Sequence, residues 1–400
     1  MVIVLQEKKI DRVLFSGAAV GLVSFGLKFV IFKENRLVRG DGLFLWQLLS
    51  TPELIIFAAP WIFTLVLVGF VRRDRGWYVP CGIMGNIALV FVFLFIGRSG
   101  IALRTPAHPF SRTSIGAGGW IFILASYIII SSSVKRIEGR RLLRIFISLC
   151  GIVALAILGI SGVLDEISVF REYFTRSDRF VDELYRHLVL AGSAVLFAVF
   201  IGIPLGMLAY RRKVLDRPVF VFVNSVQTIP SLALFGLMIA PLAILSQRYP
   251  LLRQLGIKGV GGAPAIIALT LYALLPITRN TYTSLKVIDP SVVESARGMG
   301  MSRLELLVGI ELPLSVPIVL GGVRISLVQA IGNTTVAALI GAGGFGVFVF
   351  QGLGQAVPDL ILLGALPVIA LAVVVDKLFE LLIGVLTPRG IRSREAEVVQ

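Results

Sequence analysis

"DPSVVESARGMGMSRLELLVGIELP", residues 289–313, reads as a piece of soluble protein inside a chain of another kind. Asp289-Pro290 starts a helix, because the carboxylate accepts from free amides and proline suits the first helical position. Ser291 with Glu294 three residues on is an alternative capping box. Gly298 and Gly300 can supply the positive φ of a tight turn. Ser302 with Glu305 repeats the S-x-x-E signature of a second helix start. That second helix is expected to run to about Glu311 and to stop at Pro313. Val292, Val293, Ala296, Met299, Leu304, Leu307 and Val308 are expected to face a helical bundle. Glu294, Arg297, Arg303 and Glu305 are then left to face a partner.

The surroundings of this helix-turn-helix are apolar. Of the 400 residues, 56% are hydrophobic and only 15% charged, whereas soluble domains carry about 25% charged residues. Ten apolar runs reach the roughly 17–25 residues that cross a bilayer: 13–32, 53–71, 79–96, 116–133, 145–164, 188–210, 219–246, 263–285, 314–340 and 358–386. Pro and Gly interrupt the later ones, which membrane helices tolerate. The expected fold class is therefore an all-α polytopic membrane protein of about ten transmembrane helices. The first run reads as a retained helix, with Lys28 snorkelling to the interface.

The net charge of +15 is explained by topology rather than by nucleic acid. With the N-terminus inside, the inner segments hold 21 Lys/Arg against 13 outside. The inner clusters are Arg72-Arg73-Arg75, 135–144 and 211–217. This bias puts both termini in the cytoplasm. The chain divides into an N-terminal five-span region (1–164) and an external charged link (165–187). A five-span core (188–388) follows, carrying the cytoplasmic loop 289–313, and then a cytoplasmic tail (389–400). All four tryptophans lie in the first region, and headgroup anchoring is expected of them.

The insert carries a resemblance. Glu294-Ser295-Ala296, then Gly300, then Ile310-x-Leu312-Pro313 resembles the EAA loop of ABC importer permeases, with Ser295 where that family usually has Ala. The stretches 227–237, 271–285, 296–303 and 331–346 are similar to the glycine betaine/choline/carnitine osmoprotectant permeases. The likeness covers about residues 185–388, and the five extra spans resemble the long-form, Yeh-type members. The resemblance implies a five-helix permease core in the C-terminal half and no catalytic residue in this chain. It implies a coupling loop that docks on a separate ATPase chain, with Arg297 and Arg303 beside the motif residues. It further implies a second permease, identical or paralogous, a solute-binding protein, and a place in the bacterial inner membrane. ATP and Mg would sit on the ATPase, with no cofactor held by this chain.

Polar residues within spans are the candidates for the pathway: Asn224, Gln227, Thr228, Pro230 and Ser231 on one run, Gln329, Asn333, Thr334 and Thr335 on another. Pro230 is expected to break or kink its helix. No G-x-x-x-x-G-K-S/T loop occurs. "GAGGFG" at 341–346 has the dinucleotide spacing but lacks its βαβ setting, and reads as a glycine turn at an external gate. The rival function is an ion-coupled secondary transporter. Such a protein would use intramembrane carboxylates, and the spans place Glu53, Asp359, Asp376 and Glu380 toward their ends.

Overall fold

The run expected as the first membrane helix is built from two kinds of backbone. In the computed structural model of the chain, which describes residues 11–36, 38–70, 77–137 and 139–387, α1 covers only Arg12–Val23. Asp11 caps it, accepting from the Val13 and Leu14 amides at 3.1 and 3.3 Å. One 3-10 turn, Ser24–Gly26, closes it, and the Ser24 hydroxyl donates to the Val20 carbonyl. At 1.5 Å per residue these fifteen residues reach only about 22 Å, short of a hydrocarbon core of about 30 Å.

The chain then extends into β1 (Lys28–Lys33), which pairs antiparallel with β2 (Asp41–Phe44) and β3 (Arg112–Ile115) in the order β2-β1-β3. "KFVIFK" is rich in β-branched and aromatic residues, which suit a half-buried pleated surface; Phe29 and Val30 are buried. This corrects the expected helix over 13–32, and Lys28 opens a strand rather than snorkelling from a helix.

Helix and strand together still run the length of α5 (Ala117–Arg136). Asp11 pairs with Arg136 in the last turn of α5, and the amide of Gly116, just before α5, donates to the Phe29 carbonyl at 2.9 Å. Around them stand α2 (Leu45–Leu48), α3 (Thr51–Phe70), α4 (Tyr78–Leu103), α6 (Arg141–Ile160) and α7 (Ser168–Phe174). The core is aromatic: Phe29, Phe57, Trp61 and Phe122 are buried, and the Phe57 and Phe122 rings meet edge to face at 4.9 Å. Trp61 and Trp77 are thus buried packing residues rather than interfacial anchors, whereas Trp46 and Trp120 are exposed.

The chain separates into two compact units, Met1–Thr175 and Arg176–Gln400. The second holds α8 (Ser177–Arg211), α9 (Lys213–Thr228), α10 (Ser231–Arg248), α11 (Pro250–Gln254), α12 (Gly262–Val287), α13 (Pro290–Gly298), α14 (Arg303–Leu306), α15 (Leu312–Ala337), α16 (Gly346–Gly354) and α17 (Pro358–Leu386). The charged segment 165–187 is not a separate element, since it contains α7 and the first turns of α8. The expected span 219–246 is broken at Ile229-Pro230, where α9 stops and α10 begins. Among the described residues, nine helices are long and apolar enough to cross a membrane. Arg72-Arg73-Arg75 and the tail 389–400 lie outside the described residues.

At the centre of the second unit α8, α12 and α15 pack together. Ala191, Ala194, Ala198, Gly202 and Gly206 line the buried side of α8. A Cβ at Gly206 would lie 2.6 Å from the Thr278 carbonyl oxygen. In lipid, small residues of this kind let backbones approach until dispersion and interhelical hydrogen bonds hold them. One such bond runs from the Ser326 hydroxyl to the Ala273 carbonyl at 2.9 Å.

Candidate functional site

The insert 289–313 folds through its own local chemistry. Asp289 accepts from the Ser291 amide at 2.9 Å and Pro290 opens α13. At the other end Gly300 has φ +87. The Gly300 amide donates to the Arg297 carbonyl and the Met301 amide to the Ala296 carbonyl, at 3.0 and 3.2 Å. This is the Schellman ending, in which a left-handed residue satisfies two terminal carbonyls. Ser302 and Glu305 then bond each other's backbone amides reciprocally, at 3.3 and 2.7 Å.

The side chains distribute differently from the sequence pattern. Ala296 and Leu306 are buried, but Val292, Met299, Leu304 and Val308 are exposed, Met299 by 76%. Glu294, Ser295, Arg297 and Arg303 are exposed as well, and Ile310 is half-buried. The loop thus presents apolar and charged groups together on an uncovered surface.

Pro313 does not stop the second helix. Leu307–Glu311 forms a π turn, with the Leu312 amide donating to the Leu307 carbonyl, and the helix continues through Leu312 and Pro313 into α15. Proline lacks an amide proton and its ring crowds the carbonyl four residues back. The wider turn opens that crowded position. Glu311, 3% exposed, is paired with Arg211 in the last turn of α8. The sequence reading missed this pair. Its only trace is a basic cluster at the end of one span and an acid at the start of another.

The pathway candidates divide. The Gln227 amide donates to the Tyr272 carbonyl at 2.5 Å, and Gln329 approaches Gln227 at 3.5 Å. The Tyr272 carbonyl is free because its intrahelical partner would be Pro276, which has no amide proton. The Tyr272 hydroxyl in turn donates to the Ile229 carbonyl, exposed by the break at Pro230. Gln227 and Tyr272 therefore repair two interrupted helices at one place, with Gln329 donating to the Gln227 side chain. Thr334 is fully buried and donates to the Ala330 carbonyl of its own helix. Thr228 donates to the Ser225 carbonyl. Asn224, Ser231, Asn333 and Thr335 are half-buried, with no side-chain hydrogen bond among the described residues, and Pro230 is exposed.

The glycine turn 341–346 is gripped by α8. The Gly344 amide donates to Glu183 Oε2 at 2.6 Å and the Phe345 amide to His187 Nδ1 at 3.3 Å. His187 is fully buried, and its Nε2 lies 3.0 Å from the Ile331 carbonyl. An accepting Nδ1 requires the proton on Nε2, so one imidazole joins the turn to α15. Replacing Glu183 by Ala would leave the Gly344 amide without its charged acceptor. The expected loss is about 1.5–3 kcal/mol, read as a lower thermal midpoint of the protein in nanodiscs, with Glu183→Gln losing less.

Comparison with known proteins agrees with this architecture. Residues 11–170 match the family described as "ABC transporter permease YehY, N-terminal domain", and residues 198–391 match "Binding-protein-dependent transport system inner membrane component". The osmoprotectant import permease protein OsmW of Salmonella typhimurium is 42% identical over 52% of this chain and 92% of its own. The glycine betaine/carnitine/choline permease protein OpuCB of Bacillus subtilis is 39% identical over 52% of this chain and 88% of its own. A structure of the MetNI methionine ABC transporter in inward-facing form is 22% identical, covers 54% of this chain and 99% of that one, and has a TM-score of 0.46. With membrane-length helices, the two matched regions and relatives covered almost end to end, this chain belongs to the multi-pass permease subunits of ABC importers, in the group of the osmoprotectant, glycine betaine, choline and carnitine permeases.

Proposed function

We propose that the chain forms part of the membrane passage of an ATP-driven importer for osmoprotectants of the glycine betaine, choline and carnitine class. A separate ATPase docks on residues 289–313 and carries the ATP and Mg. A solute-binding protein delivers solute from outside, and a second permease completes the passage. The protein lies in the bacterial inner membrane with both termini cytoplasmic. The Asp11–Arg136 pair supports the inner position of the N-terminus, because it sets the start of α1 beside the basic end of α5.

The observation that carries the docking reading is the exposure of Val292, Met299, Leu304 and Val308 on a loop whose backbone is fully capped. A rigid uncovered apolar surface edged with charge has the composition of an interface centre and rim. Gentle co-purification from the native cell should bring an ATPase subunit with the tagged chain. The variant Met299→Glu/Leu304→Glu should reach the membrane at normal level and lose that subunit. Retention of the ATPase by this variant would remove the loop from the interface.

A further inference from the structure

We propose that Arg324 and Asp376 form a binding site for a zwitterionic solute within the membrane-spanning helices, Arg324 taking its carboxylate and Asp376 its quaternary ammonium; this rests on the solute class proposed above. Arg324 is the thirteenth of the 26 residues of α15, and Asp376 the nineteenth of the 29 of α17. Each therefore sits about 15–20 Å from the nearer helix end. Arg324 Nε lies 2.6 Å from Asp376 Oδ1. The pair joins two spanning helices well inside their ends, so Asp376 lies deeper in its helix than the sequence pattern places it, whereas Arg211–Glu311 joins helix ends.

Charges at that depth are costly against lipid, so they face a bundle interior or a watery cavity. Yet both side chains are about a third exposed, 30% and 36%. Their bonding is also incomplete. Among the described residues the two terminal nitrogens of Arg324 and Oδ2 of Asp376 have no hydrogen-bond partner. What remains open is a guanidinium fork, whose geometry matches a carboxylate, beside a carboxylate oxygen. A betaine-like molecule carries the complementary pair of charges. The second unit has no tryptophan, so a cage built on indole faces is not the means at hand.

The two solute classes separate the roles. Choline has the ammonium without the carboxylate, so it needs Asp376 and not Arg324. The test measures uptake of radiolabelled glycine betaine and choline by the native cell, as the component lost when this chain is deleted. Arg324→Gln should raise KM for glycine betaine roughly tenfold, the size of one charge-assisted hydrogen bond, and leave that for choline within about twofold. Asp376→Asn should raise both. Arg324→Lys, which keeps the charge and loses the fork, should show the same split more weakly if the Gln variant fails to reach the membrane. Equal changes for both solutes, or none, would make the pair a structural brace and overturn the site. Wild-type cells whose uptake of both solutes does not depend on this chain would overturn the solute class itself, and the site with it.

Discussion

Gly300→Pro should reduce uptake to the background of cells lacking the chain, while the protein stays in the membrane at its normal level. Gly300 holds φ at +87, and its amide donates to the Arg297 carbonyl. Proline removes that donor and locks φ near −65°. Both bonds of the Schellman ending depend on the left-handed residue, so α13 loses its ending and the direction of α14 changes with it. The membrane helices do not share this strain, because a Cβ at position 300 meets nothing within 4 Å. The thermal midpoint should therefore move little, as for most surface changes, which stay within about 0.5 kcal/mol. Gly300→Asn is the control, since Asn tolerates the left-handed region. It should keep most of the uptake. If Gly300→Pro supports normal uptake, the loop has no part in coupling.

Gly346→Val should have the opposite signature: the protein itself becomes unstable. A Cβ at position 346 would overlap the Thr335 carbonyl oxygen and lie 2.7 Å from its carbon and 2.9 Å from Ala338 Cβ. Thr335 and Ala338 belong to the end of α15 and the 3-10 turn after it, while Glu183 and His187 hold the Gly344 and Phe345 amides next to position 346. No flexible side chain is available to move aside. Overpacking of this kind costs about 3 kcal/mol or more, visible as a lower thermal midpoint and a lower yield of folded protein. Gly192→Ala, where a Cβ meets nothing within 4 Å, should be neutral or slightly stabilising, because alanine favours the helix.

The features legible in the sequence are those written in near neighbours. Asp289, Gly300 and Ser302 act on residues two to five positions away, and their caps could be named in advance. Pro230 breaks its helix by its own chemistry. Features that depend on distant residues stayed hidden. "KFVIFK" looks like the end of an apolar span; β2 pairs one edge from eight residues on, but β3, which pairs the other edge, lies some eighty residues later. Arg324 and Asp376 are visible singly, but their pairing requires the packing of α15 on α17. Thr334 and Gln227 look alike in sequence as polar residues in spans. Only the fold distinguishes a hydroxyl bonded to its own helix from an amide bonded to a carbonyl that Pro276 leaves free. Val292, Met299, Leu304 and Val308 follow a burial pattern, yet they lie exposed, because α13 and α14 turn only Ala296 and Leu306 inward.

The unbroken passage from α14 through the π turn into α15 has a mechanical consequence. Arg303–Ile340 is one helix of 38 residues, about 57 Å long. Arg211 holds it at Glu311, eight residues from the loop end and 29 from the glycine turn. Glu183 and His187, on the same α8 as Arg211, tie the glycine turn and the Ile331 carbonyl near its other end. Two ties to one helix leave no free pivot, so a push at Arg303 would shift α8 and α15 together, less whatever the π turn at residues 307–311 yields.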